Sequence, residues 1–88
     1  MITLPGQDLV EAGLEDLARG HESLAALLVS IGAPRLRRLG LAVPPPIPEP
    51  EHRLYQLLVQ QHGDAAHSRY NALIRRLVSF ERTAACAR

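Results

Sequence analysis

A proline-rich segment at residues 41–50 is the feature that most constrains how this chain folds. Its sequence, Leu-Ala-Val-Pro-Pro-Pro-Ile-Pro-Glu-Pro, places five prolines in ten positions. Proline lacks a backbone N–H and its ring clashes with the preceding helical turn, so the segment favours an extended conformation over a helix. We expect a stiff connector within a single domain, residues 1–88, that joins an N-terminal helical half, residues 6–40, to a C-terminal half, residues 51–86. A PxxP ligand for an SH3-like partner is the alternative role.

Composition favours helices on both sides of the connector. Leucine (15 copies) and alanine (12 copies) dominate the apolar residues, whereas valine, isoleucine and the aromatic residues are few. Unbranched side chains lose little conformational freedom in a helix, so this mixture predicts an all-α fold. The leucine content excludes a disordered chain, and the single cysteine, Cys86, excludes a disulfide-linked scaffold.

Apolar spacing predicts two helices and one short helical turn in the N-terminal half. The first helix is predicted over residues 7–19 from apolar side chains that recur every three or four positions. Gly13 lies inside this apolar stripe, so a neighbouring helix is expected to approach closely there. A second helix is predicted over residues 21–31 because Gly32 is a typical C-terminal stop. Pro34 then opens a separate short turn of helix that ends at Gly40.

The C-terminal half is predicted to form a helical hairpin over residues 51–86. A helix over residues 51–62 carries apolar side chains across an arc of roughly 200°, which is wider than one neighbouring helix covers. Gly63 ends this helix, and Asp64 is a natural N-cap for a final helix over residues 65–85. The whole chain is then a small bundle of four main helices, arranged as two αα-hairpins plus the short turn.

The final helix carries the most regular apolar pattern in the chain. Its apolar positions are separated alternately by four and three residues, as in the seam of a coiled coil. The candidate interface positions are Tyr70, Leu73, Leu77, Phe80 and Glu81. Because this seam and the wide arc of the preceding helix exceed what a small core needs, we expect a non-catalytic interaction protein or accessory subunit. A homodimer is the leading arrangement.

Glu81 lies near the middle of the apolar arc of the final helix. A carboxylate among apolar side chains is costly unless it is paired. The favoured interpretation is that the core ends near Phe80 and that Glu81 reaches solvent through its flexible stem. The alternative is an ion pair that fixes the register of packing, with Arg35 of the same chain, or with Arg76 or Arg82 of a second chain, as the partner.

The arginines support a second and different function. Residues 1–34 carry five acidic residues and one arginine (net −4), whereas residues 35–88 carry four acidic residues and nine arginines (net +5). Clustered arginines can neutralise phosphates, and a helix, a turn and a short basic helix resemble a helix-turn-helix unit. The alternative function is therefore a DNA-binding regulator that uses Arg35, Arg37, Arg38, Arg75 and Arg76. The short basic helix lacks Asn, Gln, Ser and Thr for base edges, which ranks DNA below protein as the partner.

Metal-binding and catalytic chemistry find less support in the sequence. His62, Asp64 and His67 lie within six residues. His62 is predicted to end one helix and His67 to start the next, so the two histidines do not share a helix face. A metal-dependent activity at these histidines is the third possibility. The chain has no lysine, no nucleophile elbow and no phosphate-binding loop, so we expect neither an enzyme nor a cofactor.

Targeting signals are not evident in the sequence. Residues 1–6 show neither the basic region nor the apolar core of a signal peptide. The longest apolar run, residues 24–29, is far shorter than the roughly 18 residues that cross a bilayer. A lone cysteine fits a reducing compartment, so we expect a cytoplasmic protein with no membrane partner. No motif is specific enough to indicate a family.

Overall fold

The computed structural model describes residues 4–86, and every regular element in that range is helical. Helix α1 covers Gln7–Ala18, α2 covers Leu24–Arg38, α3 covers Pro50–His62 and α4 covers Ala66–Cys86. A short 3-10 turn at Gly63–Ala65 separates α3 from α4. The all-α prediction is therefore confirmed for this part of the chain. Residues 1–3 and 87–88, which belong to the predicted single domain, lie outside the described residues, as does half of the segment searched for a signal peptide.

Helix α2 is the centre of the structure. Residues 25–30 are all buried, and Leu27, Leu28 and Val29 are each 0% exposed. A helix that is apolar on every side needs packing partners on every side, and α2 contacts α1, α3 and α4. The apolar run at residues 24–29 therefore marks the helix around which the others pack.

Helix α2 also differs from the prediction, because Gly32 and Pro34 lie inside it. The separate short turn predicted at residues 35–39 is therefore wrong, and that segment belongs to the last turn and C-cap of α2. Glycine and proline in a helix interior cost about 1 and 3 kcal/mol relative to alanine. The continuous helix buries Leu36 completely and leaves Ala33 only 1% exposed. Most helical stability in proteins comes from such tertiary packing, and here it outweighs the local preference for a break.

Ser23 is the N-cap of α2 and ties it to α1. Its hydroxyl oxygen accepts a hydrogen bond from the Ala26 N–H at 3.0 Å, and the same hydroxyl donates to the Asp16 carboxylate at 2.7 Å. The side-chain acceptor satisfies one of the N–H groups that the first turn of a helix leaves without a backbone partner. The predicted start at His21 is therefore three residues too early.

Gly13 allows α1 and α2 to approach closely, as its place inside the apolar stripe of α1 predicts. A methyl group built on its α-carbon would overlap the Ala25 carbonyl oxygen and would lie 2.5 Å from the Val29 Cγ2 carbon. Gly13 itself is buried. The two helix backbones are thus separated by a distance that only glycine permits.

The proline-rich connector runs back along α2. The Ile47 N–H donates to the Ser30 hydroxyl at 3.1 Å, 17 residues earlier in the chain. The Arg37 guanidinium donates to the carbonyl oxygens of Val43 at 3.2 Å and Pro44 at 3.4 Å. The side chains of Val43 and Ile47 pack on the core. The connector is therefore held against the helix that it follows.

Helices α3 and α4 pack against each other and against α2. Leu54 and Leu58 of α3 are 0% and 1% exposed, and the rings of Tyr55 and Tyr70 meet edge to face with centroids 5.8 Å apart. Asp64, predicted to cap α4, lies instead in the 3-10 turn, because α4 begins only at Ala66. None of the helices in the described range is long and apolar enough to cross a membrane.

The substitution Gly13→Ala tests the close approach of α1 and α2. Alanine is the better helix former by about 1 kcal/mol, so propensity alone would make the variant more stable. Because the new methyl group meets a backbone carbonyl that cannot move aside, we expect a loss of about 2 kcal/mol or more in the free energy of unfolding. Urea denaturation measures this loss.

The matched control for Gly13→Ala is the reverse change at the exposed neighbour, Ala12→Gly. This change measures the helix propensity of glycine against alanine at a position where no close contact between α1 and α2 is involved. It should lower the free energy of unfolding by about 1 kcal/mol. If Gly13→Ala were instead as stable as the wild type or more stable, the close approach would be contradicted.

Candidate functional site

The predicted interface seam on α4 is used largely inside the chain. Three of its positions are buried, namely Leu77, Phe80 and Glu81. The other two, Tyr70 and Leu73, are half-buried. Leu77 lies against α2 at Gly32, and Phe80 lies near Gly6 at the start of α1. The packing of this single chain therefore takes up most of the apolar surface that the seam offers.

Glu81 is buried within the seam and pairs with Arg35. Its side chain is 9% exposed, and a carboxylate oxygen lies 3.5 Å from a guanidinium nitrogen of Arg35. The expectation that Glu81 reaches solvent is therefore wrong, and the structure pairs it with one of the partners that the sequence left open. The physical reason is the continuity of α2 past Gly32, which carries the last turn of α2 over this part of α4.

A groove lies beside this ion pair, between the C-terminal half of α2 and α4. It consists of two adjoining cavities of about 460 and 360 Å³ that share Arg35, Arg38, Val78 and Glu81. Apolar and basic side chains line it together, chiefly Ile31, Ile74 and Val78 with Arg35, Arg38 and Arg82. We call it the α2–α4 groove. Sequence reasoning missed it because it assigned the two sides of residue 32 to different helices.

The arginines proposed to bind nucleic acid do not all face outward for one ligand. Arg37 donates to carbonyl oxygens of the connector, and Arg76 pairs with Asp8 of α1 at 3.3 Å. A further pair, Arg53 with Glu22 at 3.0 Å, also joins the basic C-terminal half to the acidic N-terminal half. Part of the charge asymmetry along the sequence is thus neutralised inside the chain.

The helix-turn-helix-like segment of the sequence prediction is wrong. Residues 32–34 form no turn, so the basic stretch is the end of a central helix and not a separate recognition helix. Of the remaining proposed positions, Arg38 lines the α2–α4 groove and Arg75 is exposed on α4. The structure therefore brings Arg35 and Arg38 together at this groove but does not bring Arg37, Arg75 or Arg76 to it.

Tyr55 and Val59 form an exposed apolar pair on the outer side of α3. They are 39% and 46% exposed, and they are four residues apart, so they lie on the same side of the helix. Residues 54–63 contain no Asp, Glu, Lys or Arg. The exposed side chains beside them are His52, Gln56 and Gln60, and the exposed charged residues Glu51 and Arg53 lie at the edges of this side. We call Tyr55, Val59, His52, Gln56 and Gln60 the α3 face; its two apolar residues are the part of the wide apolar arc that the chain itself leaves uncovered.

Tyr70 adjoins the α3 face and has a shifted pKa. Burial raises the pKa of Tyr70 above its ordinary value of 10.0, and the nearby Glu51 carboxylate raises it further. Both effects disfavour the phenolate, because each makes a negative charge at this position more costly. The Tyr70 hydroxyl thus stays protonated to a higher pH in the folded protein than in the unfolded chain.

His62, Asp64 and His67 do not assemble into a metal centre in the described part of the chain. Over residues 4–86, no group of three or more His, Cys, Asp and Glu side chains is placed to hold a metal ion. The His67 Nε2 atom lies 3.3 Å from the side-chain amide nitrogen of Asn71. Cys86 is an exposed thiol at the end of α4.

Comparison with known proteins does not add a family to this description. The chain matches no protein-family model, no curated protein and no solved structure among those with which it was compared. The α3 face and the α2–α4 groove are therefore the surfaces on which a proposal of function rests.

The ion pair between Arg35 and Glu81 predicts a measurable loss when the arginine is removed. Arg35→Met keeps the aliphatic stem but leaves a buried carboxylate without its partner. We expect the free energy of unfolding to fall by about 1–2 kcal/mol, which is less than for a fully buried pair because Arg35 is 69% exposed. Adding Glu81→Gln should recover most of this loss in a double-mutant cycle measured by urea denaturation.

The control for the ion pair is Arg19→Met, which breaks the exposed pair between Arg19 and Glu15. Solvent screens such a pair, so the change should stay within about 0.5 kcal/mol. A cost for Arg35→Met no larger than that of the control, or no recovery on adding Glu81→Gln, would contradict the role assigned to Glu81.

The pKa of Tyr70 predicts how stability changes in alkaline solution. Because the folded pKa lies above the unfolded value of 10.0, the contribution of Tyr70 is fully present below pH 10.0 and is lost as the pH rises through the folded pKa. In the Tyr55→Phe variant, where Tyr70 is the remaining tyrosine, ultraviolet titration of the phenolate should give a midpoint above 10.0. Glu51→Gln should lower that midpoint, and an ordinary midpoint in the folded protein would contradict the prediction.

Proposed function

We propose that this protein is a small non-catalytic interaction module or accessory subunit that self-associates through the α3 face. The observation that carries the proposal is the exposed pair Tyr55 and Val59, side by side on α3 in a stretch, residues 54–63, that contains no Asp, Glu, Lys or Arg. In this proposal the fold is a bundle of four main helices, arranged as two αα-hairpins joined by the proline-rich connector. We expect the protein to act in the cytoplasm.

Absence of charge on the α3 face favours a second copy of the chain as the partner. In a two-fold symmetric dimer the same patch meets itself, so any charge on it would face a like charge. The five residues of the α3 face include no Asp, Glu, Lys or Arg, and the charged Glu51 and Arg53 lie at its edges. The cores of protein interfaces are also enriched in tyrosine and depleted of charged residues. The α3 face matches this composition, since Tyr55 is its largest exposed apolar side chain and no Asp, Glu, Lys or Arg is among its five residues.

The small size of the chain adds a second reason for self-association. A domain of 88 residues buries only about two-thirds of the surface of its unfolded chain, so further burial stabilises it appreciably. Tyr55 and Val59 are the large apolar side chains that stay exposed among the described residues. Their burial against a second copy would remove them from water, with Tyr70 adjoining the contact through its edge-to-face packing on Tyr55.

The proposal shifts the interface away from the position that the sequence alone indicates. Leu77 and Phe80 of the α4 seam are 3% and 6% exposed, so a partner would find little of them to bind. Tyr70, at the other end of the seam, contacts Tyr55 and so touches the α3 face. The interface expected at the seam is thereby moved to α3, with Tyr70 as the shared residue.

DNA binding is a second proposal, supported by the three arginines that line the α2–α4 groove. Arg35, Arg38 and Arg82 bring guanidinium groups from two helices to one surface, which suits phosphate neutralisation. The groove also offers apolar side chains, which a phosphate backbone does not use. This second proposal is therefore ranked below protein binding.

Substitution of Val59 tests self-association. At about 50 µM, sedimentation velocity should give the wild type a mass twice the 9.7 kDa of one chain. Val59→Asp should weaken the dimer by tenfold or more, about 1.4 kcal/mol, because both copies place a carboxylate in the symmetric contact. Val59 is 46% exposed, so the variant should keep its helical circular dichroism and its Tm.

Ala12→Asp is the matched control for the Val59 variant. It adds the same charge to an exposed helical position on α1, outside the α3 face, and should leave the dimer mass unchanged. A wild-type protein that remains a monomer over a hundredfold range of concentration, or a dimer unaffected by Val59→Asp, would contradict this proposal.

A further inference from the structure

We propose that the α2–α4 groove binds an acidic amphipathic helix of a partner protein. This surface is separate from the α3 face, since no residue of α3 lines either of its two cavities. The inference therefore goes beyond self-association and does not depend on it. It rests on the shape, the apolar floor and the charge of the groove.

The floor of the groove is apolar and accessible from solvent. Ile31 of α2 and Ile74 and Val78 of α4 are each half-buried, so they present side-chain surface that the chain does not cover. The adjoining cavities of about 460 and 360 Å³ have room for several aliphatic side chains. A partner helix fills a groove of this kind with apolar residues at positions i, i+3, i+4 and i+7.

Gly32 and the helical turn that follows it create the groove. A methyl group at Gly32 would lie 3.0 Å from a Glu81 carboxylate oxygen and 3.1 Å from both Leu77 methyl carbons, so α2 and α4 are in tight contact there. Beyond that contact, α2 continues through Pro34 and forms one wall of the groove, and α4 forms the other. The groove therefore belongs to the packed helices and is formed before any partner binds.

The rim of the groove is positive. Arg35 and Arg38 lie three residues apart on α2, and Arg82 lies on α4, and all three side chains are exposed. Glu81, the carboxylate among the residues that line the groove, is 9% exposed and faces Arg35. The exposed guanidinium groups of α2 and α4, that of Arg82 above all, place positive charge around an apolar floor. Its complement is an apolar ridge flanked by Asp and Glu.

A helix of this composition fits the groove better than a nucleic acid does. The phosphate backbone of a duplex would use the arginines but would leave Ile31, Ile74 and Val78 in water. Sequence-specific readout uses bidentate contacts to base edges from an element that enters the major groove. The arginines here flank an apolar depression at the end of a buried helix, so the floor and the rim together select an acidic amphipathic helix.

Selection from a displayed library of helical peptides tests the proposal with the full chain as the target. The peptides recovered on the wild type should carry net negative charge and apolar residues spaced by three and four positions. A synthetic copy of one such peptide, labelled with a fluorophore, should bind saturably, and its affinity should fall as salt is raised because exposed charges are screened.

Two variants and a matched control place the peptide in the groove. Arg82→Glu reverses a rim charge and Val78→Asp puts a charge on the apolar floor, and each should weaken binding about tenfold or more. Arg75→Glu is the control: it makes the same charge change on an exposed part of α4 that lines neither cavity, and binding should stay within about threefold of the wild type. Circular dichroism verifies folding, and Arg82→Glu, at an exposed position, keeps the test valid if Val78→Asp does not fold.

Several results would overturn the proposal. These are the recovery of no peptide, the recovery of basic or non-amphipathic peptides, or an equal loss of binding with Arg75→Glu and Arg82→Glu. Duplex DNA provides the other arm of the experiment. Three results together would identify nucleic acid as the ligand of this surface. A duplex would bind and displace the peptide, and its affinity would be weakened by Arg82→Glu but not by Val78→Asp.

The outcome is separable from that of the proposed self-association. Val59→Asp should dissociate the dimer and leave peptide binding unchanged, whereas Arg82→Glu should weaken peptide binding and leave the dimer mass unchanged. A wild type that is monomeric but binds the acidic peptide would support the proposal for the groove and contradict the one for the α3 face. A wild type that is dimeric but binds no such peptide would support the α3 interface and contradict the proposal for the groove.

Discussion

The burial of residues 25–30 of α2 on all sides of the helix is the constraint on which the rest of the structure depends. Leu27, Leu28 and Val29 follow one another along the helix and point in different directions, yet each is 0% exposed. Full burial of one such side chain contributes about 1.5–3 kcal/mol, and it is available only if neighbours surround the helix. α1, α3, α4 and the returning connector supply those neighbours. The arrangement of the whole chain follows from covering this one helix.

Two glycines set how closely the neighbours approach the central helix. Gly13 brings the backbone of α1 against α2, and Gly32 brings the side chains of Leu77 and Glu81 against α2 from α4. Tight contact at Gly32 is also what forms the α2–α4 groove just beyond it. The same feature that completes the core thus shapes the surface proposed to bind a partner helix.

Charge is partly balanced within the chain, and the balance decides which surfaces are left for partners. Ion pairs connect Asp8 with Arg76 and Glu22 with Arg53, so the acidic and basic halves of the sequence attract each other in the fold. These exposed pairs contribute little stability individually. Their effect is on the character of the surface: the α2–α4 groove has arginines around an apolar floor, whereas the five residues of the α3 face include no Asp, Glu, Lys or Arg.

The sequence by itself determined the helical class, the position of the connector, the extents of α1, α3 and α4 to within a residue or two, and the close approach at Gly13. Those features follow from the periodicity of apolar side chains and from the local stereochemistry of proline and glycine. Only the tertiary structure decided that α2 continues through Gly32 and Pro34, that Glu81 is buried beside Arg35, and which apolar side chains of α3 stay exposed. Each of these depends on contacts between residues far apart in the chain, whose energies exceed the local preferences that a sequence pattern records.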